Sequence, residues 1–192
     1  MGRTKEFDPD AALRAAMDLF WRKGYEATSM QDLVEHLGLG RGSIYGTFGG
    51  KRELYLKAMD RYGEDAREAI VGRLSGAGSG LAAVRDMVRY YAESALKDAD
   101  HKGCLMTNTA VELPADQGAS RRVAASLETL ETAIMGALVR ARAEGELAQD
   151  KDPASLARFL VTLLQGIRVV GKTPVRQRFL DDTVERALTL LD

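Results

Sequence analysis

A short run of small and hydrogen-bonding residues, positions 41–47, is the part of this sequence whose residue types and spacing best suit contact with a charged partner. Ile44 and Phe48 lie one helical turn apart and predict the buried side of a short helix. The outward positions then carry hydrogen-bond donors or almost no side chain: Arg41, Gly42, Ser43, Tyr45 and Thr47. A helix that enters the major groove needs donors for phosphates and base edges, and little bulk where backbones meet. We therefore expect this helix to contact DNA.

The alternative is an ordinary pair of short helices that only pack together. Two glycines argue against it, because Gly42 and Gly46 each cost about 1 kcal/mol relative to alanine within a helix. A helix used only for packing has little reason to carry both.

The residues just upstream must position this helix. Ser29 precedes an apolar stripe and Asp32 follows three residues later, which predicts a capping box at a helix start. Gly38 suits the left-handed position that ends a helix, and Leu39 ties the turn to the core. The stripe itself has helical spacing and consists of Met30, Leu33, Val34 and Leu37. Residues 29–48 therefore predict a helix, a tight turn and a second helix.

Several short motifs lie within and around this unit. In chain order they are Leu19-Phe20, Gly24-Tyr25, Thr28-Ser29, Leu37-Gly38, Gly42-Ser43-Ile44-Tyr45, Phe48 and Lys51. Together they make residues 6–66 resemble the DNA-binding domain of the tetracycline-repressor (TetR) family. The resemblance implies a dimeric transcriptional regulator, usually a repressor, that a ligand releases from its operator. Two positions depart from the family pattern. Gly40 stands where a serine or threonine usually caps the recognition helix, and Gly46 stands where a larger side chain is common.

The same resemblance assigns the DNA contacts. Tyr45 and Lys51 match positions that hold phosphates, as do Ser29 and Ser43, and Thr28 belongs to the same contact set. Positions able to reach base edges are Gln31, Arg41 and Thr47, and Gly42 matches one where the backbone runs close to DNA. The implied partner is double-stranded operator DNA.

Charge and composition limit the class of protein. The 192 residues carry a net charge of −1, with 45% hydrophobic and 29% charged residues, which is typical of a globular protein. The first 52 residues hold eight Lys/Arg and seven Asp/Glu. This near-neutral balance argues against a non-specific DNA coater and fits a site-specific dimer whose few basic residues are well placed. Those residues are Arg3 and Lys5 in an N-terminal arm, then Arg41, Lys51 and Arg52.

Location follows from apolar segments and cysteine content. The N-terminus lacks the apolar core of a signal peptide, so we expect a cytoplasmic protein. The most apolar run, near residues 160–170, contains Thr162, Gln165 and Arg168, so we expect neither a membrane span nor a membrane partner. The single cysteine fits a reducing compartment.

Helical periodicity dominates, and we expect an all-α fold. An N-terminal three-helix helix-turn-helix domain (residues 1–52) is joined by a long helix, from Lys51 to about Leu74, to an effector-binding and dimerisation domain (53–192). The family resemblance implies that the last two helices, residues 152–192, form a four-helix bundle with a second copy. We place Leu188 near the centre of that homodimer interface.

Little in the sequence suits an enzyme. Neither His36 nor His101 has another ligand at a metal-binding spacing, and no nucleophile elbow or phosphate loop is present. We therefore expect no catalytic residue, no metal and no cofactor. A helical protein-interaction module without DNA binding is the rival from another class.

An effector site is expected among the helices of residues 81–170. Methionines with tyrosine and asparagine groups suit an apolar ligand with a few polar atoms, although each residue alone is equally compatible with plain core. The candidates are Met87, Tyr90, Tyr91, Cys104, Met106, Asn108, Leu130, Ile134 and Leu163. The ligand itself is not identified by the sequence.

Cys104 supports a second hypothesis. It lies next to Lys102 at the start of a short helix, a setting typical of reactive cysteines. The segment Gly103-Cys104-Leu105 resembles one in a branch of this family, some of whose members sense electrophiles or oxidants through that cysteine. Its alternative role is that of a small buried apolar residue.

Overall fold

The computed structural model describes residues 7–76 and 78–192, and within them the chain is all-α. The predicted arm with Arg3 and Lys5 lies outside the described residues. The helices are α1 (Pro9–Lys23), α2 (Met30–Leu37), α3 (Arg41–Phe48), α4 (Lys51–Leu74), α5 (Gly80–Lys97), α6 (Leu105–Glu112), α7 (Gln117–Ala143), α8 (Pro153–Val170) and α9 (Arg176–Thr189). The predicted fold class is confirmed.

Local sequence signals explain where several helices begin. Asp8 caps α1 by accepting a hydrogen bond from the Asp10 backbone N–H at 2.9 Å, and Asp152 caps α8 through the Ser155 N–H at 3.0 Å. In both helices proline occupies the first turn, where its missing N–H is not needed.

The buried apolar residues form two clusters. The N-terminal core joins α1–α3 to the first half of α4, with Phe20, Leu33 and Ile44 at its centre. Leu105 and Met106 of α6 belong to this same core, so helices from beyond residue 52 complete it. The C-terminal core is formed by α5, α7, α8 and α9 together with the end of α4. α4 thus belongs to both cores, as expected of a mechanical link. The boundary at residue 52 stays a prediction.

One expectation about the last helices needs correction, and the placement of Leu188 in a dimer interface stays a prediction. α8 is long and apolar enough to cross a membrane by length and composition, with a mean hydropathy of 1.3 over 18 residues. Thr162, Gln165 and Arg168 therefore do not make α8 too polar to span a membrane. The core helix of a globular protein can be equally long and apolar. α8 packs against α7, α5 and α9. Leu188, placed at the centre of the dimer interface, is partly buried against the protomer's own core.

Candidate nucleic-acid interface and adjoining cavity

Reciprocal hydrogen bonds fix the start of α2. The Ser29 hydroxyl oxygen accepts from the Asp32 N–H at 3.0 Å, and the Asp32 carboxylate accepts from the Ser29 N–H at 2.7 Å, so the capping box is present. Lys23 lies 2.7 Å from the same carboxylate. Lys23 and then Ser29 lower the pKa of Asp32, which keeps the cap ionised. Gly38, at φ 63°, then turns the chain towards α3.

α3 presents the face that the sequence predicts. Ile44 and Phe48 are buried, whereas Arg41, Gly42, Ser43, Tyr45 and Thr47 are exposed. Gly40 begins the helix without a side-chain cap. A Cβ added at Gly40, Gly42 or Gly46 would meet no protein atom within 4 Å. Packing therefore does not require these glycines, which favours the interpretation that an outside partner does.

Two candidate phosphate ligands are Tyr45 on α3 and Lys51 at the start of α4. The Lys51 ammonium sits 4.1 Å from the centroid of the Tyr25 ring, which orients it without neutralising its charge. Tyr45 is 50% exposed. Arg52 is engaged elsewhere, because its guanidinium donates to Asp116 at 2.7 and 3.0 Å. This pairing lowers the pKa of Asp116 to about 2, so Arg52 serves the link to α7 rather than DNA.

The remaining predicted DNA contacts fall into two groups. Ser29 and Gln31 are exposed at the start of α2, where the Gln31 amide donates to Glu35 at 2.7 Å. Thr28 is fully buried, and its hydroxyl donates to the Gly24 carbonyl. The Thr28 hydroxyl stabilises the α1–α2 turn in this structure, and its assignment to the DNA contacts stays a prediction.

Because the space around Gly42 is open, we expect an added methyl group there to raise folding stability and to lower operator affinity. Gly42→Ala should stabilise the free protein by up to about 1 kcal/mol, since alanine is the better helix former and its methyl group meets no protein atom. The same methyl should weaken operator binding, because it occupies the position where the backbone approaches DNA. Thermal unfolding and fluorescence anisotropy with labelled operator measure the two effects. Unchanged operator affinity would show that the Gly42 position does not approach DNA closely.

A cavity of about 520 Å³ lies where α1, α4, α5, α6, α7 and α8 meet. This volume is within the range of small-molecule sites. Of the predicted effector residues, the wall contains Met87, Tyr90, Tyr91, Cys104, Met106 and Leu130. Ile134 and Leu163 are not on the wall; Ile134 is buried in the C-terminal core and Leu163 packs against that core. Asn108 is also off the wall, where its amide donates to the Lys102 carbonyl at 2.8 Å.

Sequence reasoning missed several wall residues that come from other parts of the chain. They are Met17 and Trp21 of α1, Tyr62 and Arg73 of α4, Thr107 of α6, and Gln165 and Arg168 of α8. The Trp21 ring packs edge-on against the Tyr62 ring at a centroid distance of 5.0 Å. No local signal marks these residues, because helices far apart in sequence bring them together.

Cys104 is half-buried on the cavity wall at the N-cap of α6. The Tyr62 hydroxyl donates to its sulfur at 3.4 Å. Burial raises the pKa of Tyr62 well above its usual value, so this phenol stays protonated and remains a donor. The neighbouring lysines have other partners. Lys102 Nζ lies 3.3 Å from Asp18, and Lys172 Nζ donates to the Asn108 amide oxygen at 3.1 Å.

α6 connects the cavity to the DNA-facing helices. Its final residue, Glu112, accepts from the backbone N–H groups of Tyr25 at 3.1 Å and Glu26 at 2.8 Å. These two residues form the turn that leads into α2. Gly24 keeps the approach open at φ 87°, where a Cβ would come within 3.0 Å of a Glu112 carboxylate oxygen. We call this contact the Glu112 link.

Two family models match the sequence. The one described as "Bacterial regulatory proteins, tetR family" matches residues 12–58, from α1 into α4. The one described as "Tetracyclin repressor-like, C-terminal domain" matches residues 80–184, more than half of the chain.

Relatives over the full length agree with these models. YezE of Bacillus subtilis, an uncharacterized HTH-type transcriptional regulator, is 38% identical over 195 residues and 100% of both chains. The repressor ComR of Escherichia coli is 33% identical over 89% of this chain and 82% of its own. The TetR family regulator CifR, solved as a cysteine mutant with a 26-base-pair operator DNA, is 32% identical and superposes with a TM-score of 0.86 over 100% of both chains. The chain therefore belongs to the TetR family of helix-turn-helix transcriptional regulators, which bind operator DNA and are not enzymes.

Proposed function

We propose that this protein is a cytoplasmic, homodimeric repressor that a small molecule releases from its operator by binding in the 520 Å³ cavity. One observation carries this proposal: α6 forms part of the cavity wall and also holds the turn before α2 through the Glu112 link. The rival hypothesis of an interaction module without DNA binding is wrong, since the family binds operator DNA.

Release requires only that the ligand prefer one arrangement of α6 over the other. A ligand shifts an equilibrium by its differential affinity for the two states, and the coupling between ligand and DNA is reciprocal. A displaced α6 would move the Glu112 side chain, and with it the turn that leads into α2. It would also press on α4. Both α2 and α4 contact α3, so α3 would move as well. The spacing of two α3 helices in a dimer would then no longer match successive major grooves.

The dimer is supported by exposed apolar residues on the last two helices and the segment between them. They are Phe159 and Val169 on α8, Val175, and Phe179 on α9, with Leu190 just after α9. α8 also lacks full coverage within the protomer, since only a third of it is buried. Apolar side chains concentrated in this way mark a protein-protein interface.

Replacement of Arg41 tests sequence-specific DNA binding. Arg41→Ala should weaken binding to the operator by about 1–3 kcal/mol, as expected for loss of a contact to a base edge. Binding to random DNA should fall much less. Fluorescence anisotropy with DNA that flanks the protein's own gene, and with scrambled DNA of equal length, measures both affinities.

Lys51→Ala provides the matched contrast. Loss of a phosphate contact should weaken binding to operator and to scrambled DNA equally. It should also lower the slope of log affinity against log salt concentration by about one unit. Arg89→Ala removes an exposed charge from α5, where Arg89 pairs with Asp86, and should leave both affinities unchanged. Equal losses on operator and scrambled DNA for Arg41→Ala would assign Arg41 to the phosphates instead.

The placement of Cys104 favours a second candidate, an electrophile sensor of the same family. Its sulfur lies on the cavity wall beside a protonated tyrosine, so a covalent adduct would occupy the cavity. N-ethylmaleimide should then release operator DNA from the parent protein, whereas Cys104→Ser should bind DNA normally and resist release. Equal release of both proteins would leave the non-covalent ligand as the effector.

A further inference from the structure

The chemical class of the effector can be inferred from the cavity wall, and this step rests on the proposed role of the cavity. The wall is rich in aromatic rings and thioethers: Trp21, Tyr62, Tyr90, Tyr91, Met17, Met87 and Met106. Aromatic rings supply rigid apolar area, and methionines adapt to the shape of a ligand. The bulk of the ligand is therefore apolar.

Two positive charges face this apolar lining. The Arg168 guanidinium lies 4.4 Å from the centroid of the Tyr91 ring, and that of Arg73 lies 3.6 Å from the centroid of the Tyr90 ring. A guanidinium that stacks on a ring keeps its N–H edge free for an anion. Both arginines are thus oriented without being neutralised.

The wall offers almost no negative charge to balance them. Among its described residues only Asp65 is acidic, and this carboxylate lies 3.3 Å from Nε of Arg61. The uncharged polar pair Thr107 and Gln165 is satisfied internally, because the threonine hydroxyl donates to the glutamine oxygen at 2.6 Å. Arg73 and Arg168 therefore leave the cavity with an excess of positive charge.

Trp21 carries an unsatisfied donor beside the cavity. The indole N–H of Trp21 is buried and has no acceptor among the described residues. Buried N–H groups are normally hydrogen-bonded, and those that lack a partner are commonly explained by a missing water or ligand. This nitrogen has almost no accessible surface, so it does not face the open cavity, and the effector class is inferred from the arginines and the apolar wall.

We infer that the effector is an amphipathic organic carboxylate, with one anionic group and an apolar chain or ring system. The carboxylate accepts the paired N–H groups of Arg168, with Arg73 adding to the positive potential. The apolar body lies among the rings and methionines. A neutral molecule of the same shape leaves both arginines without an anion and binds more weakly.

Trp21 is the protein's single tryptophan, so its fluorescence reports directly on the cavity. Decanoate and decanol are suitable probes, because they share a chain length and differ in charge. Below its micellar concentration, decanoate should change the Trp21 emission saturably and bind at least about tenfold more tightly than decanol, as expected for charge-assisted hydrogen bonds. Equal affinities, or no response to either probe, would overturn the inference.

Arginine variants test whether Arg168 and Arg73 cause the preference for decanoate over decanol. Arg168→Gln should remove most of the difference between decanoate and decanol while leaving decanol affinity unchanged, and Arg73→Gln should reduce the difference less. Arg89→Gln is the control, since it removes a surface charge outside the cavity. If Arg168→Gln and Arg73→Gln both retain the full preference, the anion does not bind these arginines and the inference fails.

Operator release is measured separately with the same probes. Decanoate that binds at Trp21 and releases operator supports both the ligand class and the repressor proposal. Decanoate that binds with the expected preference but leaves operator bound supports the carboxylate site and contradicts the proposed release. Release of operator by decanol as readily as by decanoate contradicts the carboxylate preference and supports the release mechanism.

Discussion

Phe159→Glu should convert the proposed dimer into monomers and abolish tight operator binding while each protomer stays folded. Phe159 lies on α8 and is 44% exposed, so its loss leaves the protomer core intact. A central aromatic contact contributes about 2 kcal/mol or more, and two-fold symmetry repeats it, so dimerisation should weaken by about a thousandfold. Sedimentation velocity measures the monomer fraction, and anisotropy measures operator affinity.

Val139→Glu is the matched control for this prediction. Val139 has a similar exposure, 46%, but lies on α7 rather than on the last two helices. It should leave the dimer and the operator affinity unchanged. An intact dimer for Phe159→Glu would show that the interface does not include the Phe159 face. A charge at Leu188 would be a less specific test, because Leu188 also packs against the core of its own protomer.

Glu112→Gln weakens the connection between the cavity and the DNA-facing helices. The neutral amide keeps the shape of the side chain, but its NH₂ group cannot accept from a backbone N–H. Hydrogen bonds to charged groups contribute about 1.5–3 kcal/mol, so the Tyr25 and Glu26 amides should exchange about 10- to 150-fold faster. Amide hydrogen exchange measures this directly. The variant should also be released less by a ligand in the cavity, because displacement of α6 no longer reaches the turn.

Glu26→Gln serves as the control. It neutralises a carboxylate in the same exposed turn and leaves the backbone N–H of residue 26 bonded to Glu112. Unaltered exchange at residues 25 and 26 in Glu112→Gln would show that the link does not hold the turn. Normal ligand-induced release in that variant would place the coupling in α4 alone.

Features governed by local sequence were predictable. The Ser29–Asp32 capping box, the left-handed Gly38 and the buried pair Ile44 and Phe48 depend on residues within a few positions of one another. Helical periodicity predicted the all-α fold for the same reason. Gly42 and Gly46 mark α3 as unusual from the sequence alone, and a Cβ at either position would meet no protein atom within 4 Å.

Features created by tertiary packing were not predictable. Thr28 directly precedes the helix-turn-helix unit, but its side chain is buried and its hydroxyl donates to the Gly24 carbonyl. The Glu112 link joins residues 86 and 87 positions apart, and nothing near Glu112 in sequence signals it. The apolar residue Ile134 had the right type for a cavity wall. It lies one turn beyond Leu130 on the same face of α7, past the end of the cavity and within the C-terminal core.

A footprint of the purified protein on DNA that flanks its own gene tests the central claim most directly. A dimer that inserts two α3 helices should protect two symmetric half-sites whose centres lie about 34 Å or slightly more apart on one face of the duplex. Arg41→Ala should lose this pattern at concentrations where Arg89→Ala retains it. Protection that is absent, or uniform along the DNA and equal for parent and Arg41→Ala, would contradict sequence-specific binding through α3.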